Sequence, residues 1–162
     1  VVKSYEEIFP AIADQVASFR TYVEWRRGGA PPCGPRPSDV NPDEVRYWWL
    51  ECRMRSGEAP GALLGDVTAE QARASETTPL LDGLAAELSL RQGRREEAFA
   101  GARRAFDAAR EGSRRSTLLR VHLDVVAERY ARAAEANGKP DGAREARAEL
   151  ARLDRERRAA SR

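Results

Sequence analysis

Apolar residues recur at three- and four-residue spacing along most of the chain, the signature of helix faces. Ile8, Ile12, Val16, Phe19 and Val23 mark a first helix from Ser4 to about Arg27. Ser4 and Glu7 resemble a capping box there. Pro10 lies too deep for a first-turn proline, so the helix either starts nearer Phe9 or kinks. The stretch from Gly28 to Pro37 holds four prolines and three glycines and reads as a loop. Asn41-Pro42-Asp43-Glu44 then supplies a cap residue, a first-turn proline and an early acid. The apolar face of this second helix reads Val45, Trp48, Trp49, Cys52, and Gly57 ends it. Residues 58–67 read as a short or broken helix because of Gly61 and Gly65, with Thr68 and Gln71 capping another short helix to about Ser75. Stronger helices follow from Thr78-Pro79 to Gln92, from Arg94 to Arg110 and from Ser116 to Ala136. A last one begins at Pro140 and fades after Arg155. No segment has the alternation of a strand. The expected fold is all-α, with about seven helices.

Three of the helix breaks share one pattern. Gly57 and Ala62, Gly93 and Ala98, and Gly138 and Ala143 each read glycine, four residues, alanine. Glycine takes the left-handed conformation that ends one helix. The alanine, one turn into the next helix, is small enough to let two antiparallel helices lie close. Hairpins of this kind bury their apolar faces by stacking on one another.

The segment Leu84 to Ala98, with Ala105-Phe106 beyond it, resembles a tetratricopeptide repeat: Gly93 matches the turn glycine, Ala98 and Ala105 the small contacts of the second helix. Ala127 to Leu150 resembles a second copy through Tyr130, Ala131, Gly138 and Ala143, with Leu150 where a small residue belongs. Trp49 to Leu64 resembles a third, poorer copy. The glycines are 36 and 45 residues apart, whereas the family repeats at 34. The resemblance implies antiparallel hairpins stacked as a tetratricopeptide-like array over residues 42–162, with residues 1–41 forming a helix and a Pro/Gly-rich loop packed on it. It also implies a groove of first-helix side chains that grips a protein or peptide. Glu87 and Arg91 in the central copy, and Arg129 and Arg132 in the last, are the candidates to line that groove, against the alternative that they are solvated surface charges.

Length and composition narrow the field. The chain has 162 residues, enough for one domain with a hydrophobic core, and no apolar run long enough to cross a membrane. It opens at Val1 with no signal-like stretch, so an upstream segment is expected to have been removed. The net charge of +2 hides an asymmetry, −3 over residues 1–80 and +5 over 81–162. Arginines number 26 against two lysines, a bias that a GC-rich, bacterial genome explains.

Little of this supports chemistry. No phosphate-cradling glycine loop is present, and acid pairs such as Glu96/Glu97 sit at helix starts, where they offset the dipole. Cys33 and Cys52 with the single histidine, His122, cannot complete a zinc site. A Cys33–Cys52 disulfide is geometrically possible and would imply export, while a buried Cys52 with an incidental Cys33 leaves a cytoplasmic protein. His122 reads as a surface or half-buried structural residue rather than a catalytic one. Trp49 reads as core and Trp48 as partly exposed, either at the core's edge or as a partner anchor. The arginines from Arg144 onward are interleaved with Glu145, Glu149, Asp154 and Glu156, which favours a solvated face over a nucleic-acid surface. The expected function is a non-enzymatic scaffold or adaptor for a protein or peptide, without cofactor, metal, small-molecule substrate or membrane insertion. Trp48, Glu87, Arg91, Arg129 and Arg132 are its candidate contacts. The alternatives are a regulatory or sensor module of a larger bacterial protein, such as a transcription regulator or a protease-associated protein, and, less favoured, a nucleic-acid binder using the last helix.

Overall fold

The computed structural model describes residues 5–162, without the side chains of residues 5–9 and 11. The proposed box at Ser4 and Glu7 therefore lies outside the described residues. Seven helices are found there and no strand: α1 (Tyr5–Arg26), α2 (Asp43–Arg55), α3 (Pro60–Gln71), α4 (Thr78–Arg91), α5 (Arg95–Gly112), α6 (Thr117–Ala136) and α7 (Pro140–Ala160). Among the described residues no helix is long and apolar enough to cross a membrane. Consecutive helices pack on one another, α4 with α5, α5 with α6 and α6 with α7 most extensively, and α4 also touches α2 and α6. The result is an all-α array of hairpins, α2/α3, α4/α5 and α6/α7, with α1 packed on α2.

The helix ends follow from the glycines. Gly57, Gly93 and Gly138 take φ of +86°, +78° and +63°. That turn brings the next amide back onto the helix it leaves: Arg94 N donates to Ser89 O at 3.0 Å, Lys139 N to Ala134 O at 2.8 Å and Glu58 N to Arg53 O at 3.3 Å. Gly28, at +84°, ends α1 in the same way, with Gly29 N on Glu24 O at 2.9 Å. Ala98 and Ala143 are buried where their hairpins close, as their spacing requires. The first hairpin departs from that register. Ala62 is exposed and Leu63 is buried in its place. A buried arginine supplements this joint: Arg46 donates to Glu70 Oε2 on α3 at 2.8 Å and to the Asn41 carbonyl at 2.8 Å.

Several local expectations are corrected. Gly61 and Gly65 do not break α3, because Leu63 and Val67 are fully buried and outweigh a glycine cost of about 1 kcal/mol each. Thr68 caps nothing; its hydroxyl donates to Leu64 O at 2.9 Å inside α3. Asn41 spends its amide on Asp14 Oδ2 at 3.0 Å and Ser38 O at 3.2 Å, so it pins the loop to α1 rather than capping α2. Pro10 sits within α1. Cys33 and Cys52 form a disulfide with Cα atoms 5.5 Å apart, tying the loop to α2, so Cys33 is not incidental.

The core is densest between α4, α5 and α6, where Leu80, Leu84, Phe106, Val126 and Tyr130 are buried. The Tyr130 ring stacks on Phe106 at 5.1 Å and on Phe99 at 5.9 Å. α7 starts against the same ring, and a Cβ on Gly142 would come within 2.8 Å of the Tyr130 hydroxyl and 3.3 Å of Ala134 Cβ. With its ring held on two sides, Tyr130 has little room to yield. At Gly83 the nearest side-chain atom would be 3.7 Å away, ordinary contact. Gly142→Ala is therefore expected to destabilise the fold by about 1–3 kcal/mol, while Gly83→Ala leaves it unchanged or gains up to about 1 kcal/mol of helix propensity. Urea denaturation of the two variants checks both signs.

Candidate functional site

The predicted groove residues do converge, but two of the four, Glu87 and Arg129, are turned inward. Arg129 on α6 is buried to 2% exposure and reaches α2, where its Nη2 donates to Glu51 Oε1 and its Nη1 lies 3.5 Å from the Tyr47 hydroxyl. Tyr47 donates to the same Glu51 oxygen at 2.7 Å. Burial alone would raise the Glu51 carboxyl, but Arg129 and the Tyr47 hydrogen bond outweigh it and hold it below the usual range. Burial likewise pulls Arg129 down, and Glu51 more than compensates. The pair stays ionised in the interior. Arg129 thus offers no side-chain surface to a partner.

Glu87 on α4 is buried beneath two exposed arginines. Arg132 Nη2 donates to Glu87 Oε2 at 3.0 Å, and Arg91 Nε to Oε1 at 3.4 Å. Arg91 also donates through Nη1 to the Met54 carbonyl at the end of α2, 3.2 Å away. Arg55, also on α2, lies 3.5 Å from Glu51 Oε2, an electrostatic contact too loose for a hydrogen bond, and covers the Trp25 ring at 4.1 Å. The first helices of all three hairpins are joined by one ladder of four arginines over two buried glutamates. Arg55, Arg91 and Arg132 keep 40%, 40% and 49% of their side-chain surface in solvent. Arg55 was not among the sequence candidates; its place one turn after Glu51 on a first helix was the available signal.

The tryptophans exchange roles. Trp48 is buried, stacked on Tyr22 at 5.0 Å, and donates from Nε1 to His122 Nε2 at 3.2 Å. Trp49 is the half-buried one: it donates to Gly34 O at 3.3 Å and lies under Arg53 at 4.4 Å. α1 and α6 both reach the Trp48 side of α2, and the disulfide loop covers the Trp49 side only in part.

His122 is neither at the surface nor half-buried. It has no exposure and sits edge-on to Tyr22 and Tyr47. Since Nε2 accepts from Trp48, the neutral ring carries its proton on Nδ1. Burial lowers its pKa from 6.5 to about 4, so it is neutral at pH 7. Two residues on, Asp124 receives Arg26 Nη2 from α1 at 2.5 Å and Arg157 Nη2 from α7 at 2.7 Å. Burial raises this carboxyl, and the two arginines more than reverse the effect.

A cleft of about 840 Å³ lies elsewhere, between the disulfide loop, α2 and α3. Its arginines are already engaged: Arg36 with Asp39 and Glu70, Arg53 with Glu58 and Asp66, and Arg73 with Asp39. Volume there does not come with available charge. Among the described residues no three His, Cys, Asp or Glu side chains gather as a metal site would require. No protein-family model matches the chain, and no curated protein or solved structure matches it.

Two outcomes follow. Glu51→Gln strands the buried Arg129 charge and is expected to cost about 3–5 kcal/mol, while Glu51→Leu combined with Arg129→Met recovers part of it; chemical denaturation of both reads the difference. His122 binds its proton less readily folded than unfolded, so its contribution is complete above pH 6.5 and is lost as pH falls through about 4. That loss amounts to about 3 kcal/mol. Stability measured against pH should fall between those limits in the wild type and more shallowly in His122→Gln, whereas the carboxylates held below their usual range act mainly at lower pH.

Proposed function

We propose that the chain is a non-enzymatic scaffold or adaptor, a tetratricopeptide-like array that binds an acidic protein segment across its first helices. The observation that carries this reading is the ladder on α2, α4 and α6. Its four arginines exceed its two glutamates, and the excess charge lies on Arg55, Arg91 and Arg132, the three that keep solvent exposure. Guanidinium groups held in place by a buried carboxylate remain able to donate outward, and planar donors of this kind suit a peptide carboxylate. Of the residues the sequence singled out, Arg91 and Arg132 make the contact in this reading. Glu87 and Arg129 position them from beneath, and Trp48 supports the packing of α1.

The arginines of α7 support the nucleic-acid alternative less well. Arg144 is paired with Asp141, Arg147 with Glu135, and Arg152 with Glu149 and Glu156. The closed Cys33–Cys52 bridge favours work in an oxidising compartment.

The test is fluorescence polarisation of a labelled hexaglutamate peptide with a free C-terminus, against a hexalysine control. The wild type should prefer the acidic peptide. Arg91→Glu combined with Arg132→Glu should weaken that binding by about tenfold or more, a change of about 1.4 kcal/mol. Equal binding by wild type and variant, or no preference between the two peptides, would remove the ladder as the binding surface.

A further inference from the structure

Among the described residues five large apolar side chains are markedly exposed: Ile12, Val16, Phe19, Val40 and Val121. Three of the five lie on α1 at spacings of four and three, so they form one stripe along the helix. Only the edge of this stripe, where the Phe19 ring lies 6.0 Å from Trp48, touches the face by which α1 docks. Tyr22 and Trp25 make that contact, and both are buried. The stripe continues into a groove of about 520 Å³ between α1 and α2, with Val16, Phe19, Pro42, Val45 and Trp48 on its walls.

Two charged groups line the same groove, Arg20 on α1 and Glu44 on α2. Neither has an ion-pair partner among the described residues, where most other arginines, such as Arg26 and Arg157, are paired. Glu44 is half-buried, and burial together with the nearby Glu76 raises its pKa, so its site lacks a cation.

We propose that this groove is the interface of a symmetric dimer, in which the α1 stripe of a second copy lies in the groove and Arg20 of each copy pairs with Glu44 of the other. The argument is self-complementarity. An occupant must bring an apolar helical stripe to cover Ile12, Val16 and Phe19, and a cation beside it to meet Glu44. α1 carries both features within Ile12–Arg20. A two-fold axis makes one patch serve as both surfaces, satisfies two ion pairs at once, and closes the assembly at two chains. The α1 and α2 helices of both copies then form a four-helix bundle with the stripes at its centre. This surface is separate from the arginine ladder, so the inference stands independently of the proposed function.

Sedimentation equilibrium of the intact, oxidised chain from about 1 to 100 µM, the range of ordinary non-obligate affinities, tests it. The expected result is a reversible dimer of twice the 18.0 kDa chain mass. Ile12→Glu and Val16→Glu, at positions about half exposed, should keep the helical circular dichroism spectrum and sediment as monomers. Arg20→Glu should raise the dissociation constant about tenfold or more, and adding Glu44→Arg should bring it back to within about threefold of wild type. A wild type that stays monomeric to 100 µM overturns the proposal, whatever else covers the stripe. So does a dimer indifferent to the Val16 and Ile12 substitutions, or a charge swap that fails to restore association.

Discussion

The buried ion pair between Arg129 and Glu51 holds the ends of this molecule together. A stack of helical hairpins is built from neighbour contacts, and nothing in such a stack requires the first hairpin to touch the last. Here a guanidinium from α6 reaches α2 across 78 residues of chain, with Tyr47 completing the carboxylate's hydrogen bonding. Next to it, Trp48 and His122 join the same two helices, and Tyr22 and Arg26 bring α1 onto them. The apolar core between α4, α5 and α6 supplies the bulk of the burial. The polar junction decides how the outer elements sit on it. Apolar contacts tolerate sliding, whereas a buried charge tolerates only the arrangement that pairs it.

That division explains what the sequence could show. Helix ends at Gly57, Gly93 and Gly138 were legible because a positive φ is a demand of the local backbone, met by few residues. Ala98 and Ala143 were legible because hairpin closure one turn later is also local. Ala62 failed as the third member because a neighbouring residue, Leu63, had the larger apolar area to bury. The continuity of α3 through Gly61 and Gly65 was hidden for the same reason: helix propensity is a weak preference, and two buried side chains override it.

The site was legible only in part, because its members are selected by contacts remote in sequence. Glu87, Arg91, Arg129 and Arg132 were correctly placed on first helices, yet which of them faces solvent depends on α2, some 40 to 80 residues away. His122 and Arg129 look like surface residues by type. One signal pointed the other way: between Leu118 and Ala134, α6 is apolar or small around much of its circumference, so its solvent face, through Val121, Glu128 and Arg132, is narrow and leaves His122 and Arg129 outside it. The order of Trp48 and Trp49 was hidden because α1 and α6 settle it from outside α2.

The first helix shows how a regular apolar pattern can mark a helix without marking its docking face. Its stripe through Ile12, Val16, Phe19 and Val23 is regular, and regularity is ordinarily evidence of a core face. Yet docking onto the array uses Tyr22 and Trp25: the Tyr22 ring meets Trp48 at 5.0 Å and His122 at 5.1 Å, and the Trp25 ring lies under the Arg55 guanidinium at 4.1 Å. The array therefore takes the flat aromatics of α1, with Val23 partly buried beside them, and leaves Ile12 and Val16 about half exposed. Stacked and edge-on aromatic pairs add to the area they bury, and guanidinium groups pack on their faces. Ile12 and Val16 have neither interaction to offer that junction, so their burial would come from another apolar surface.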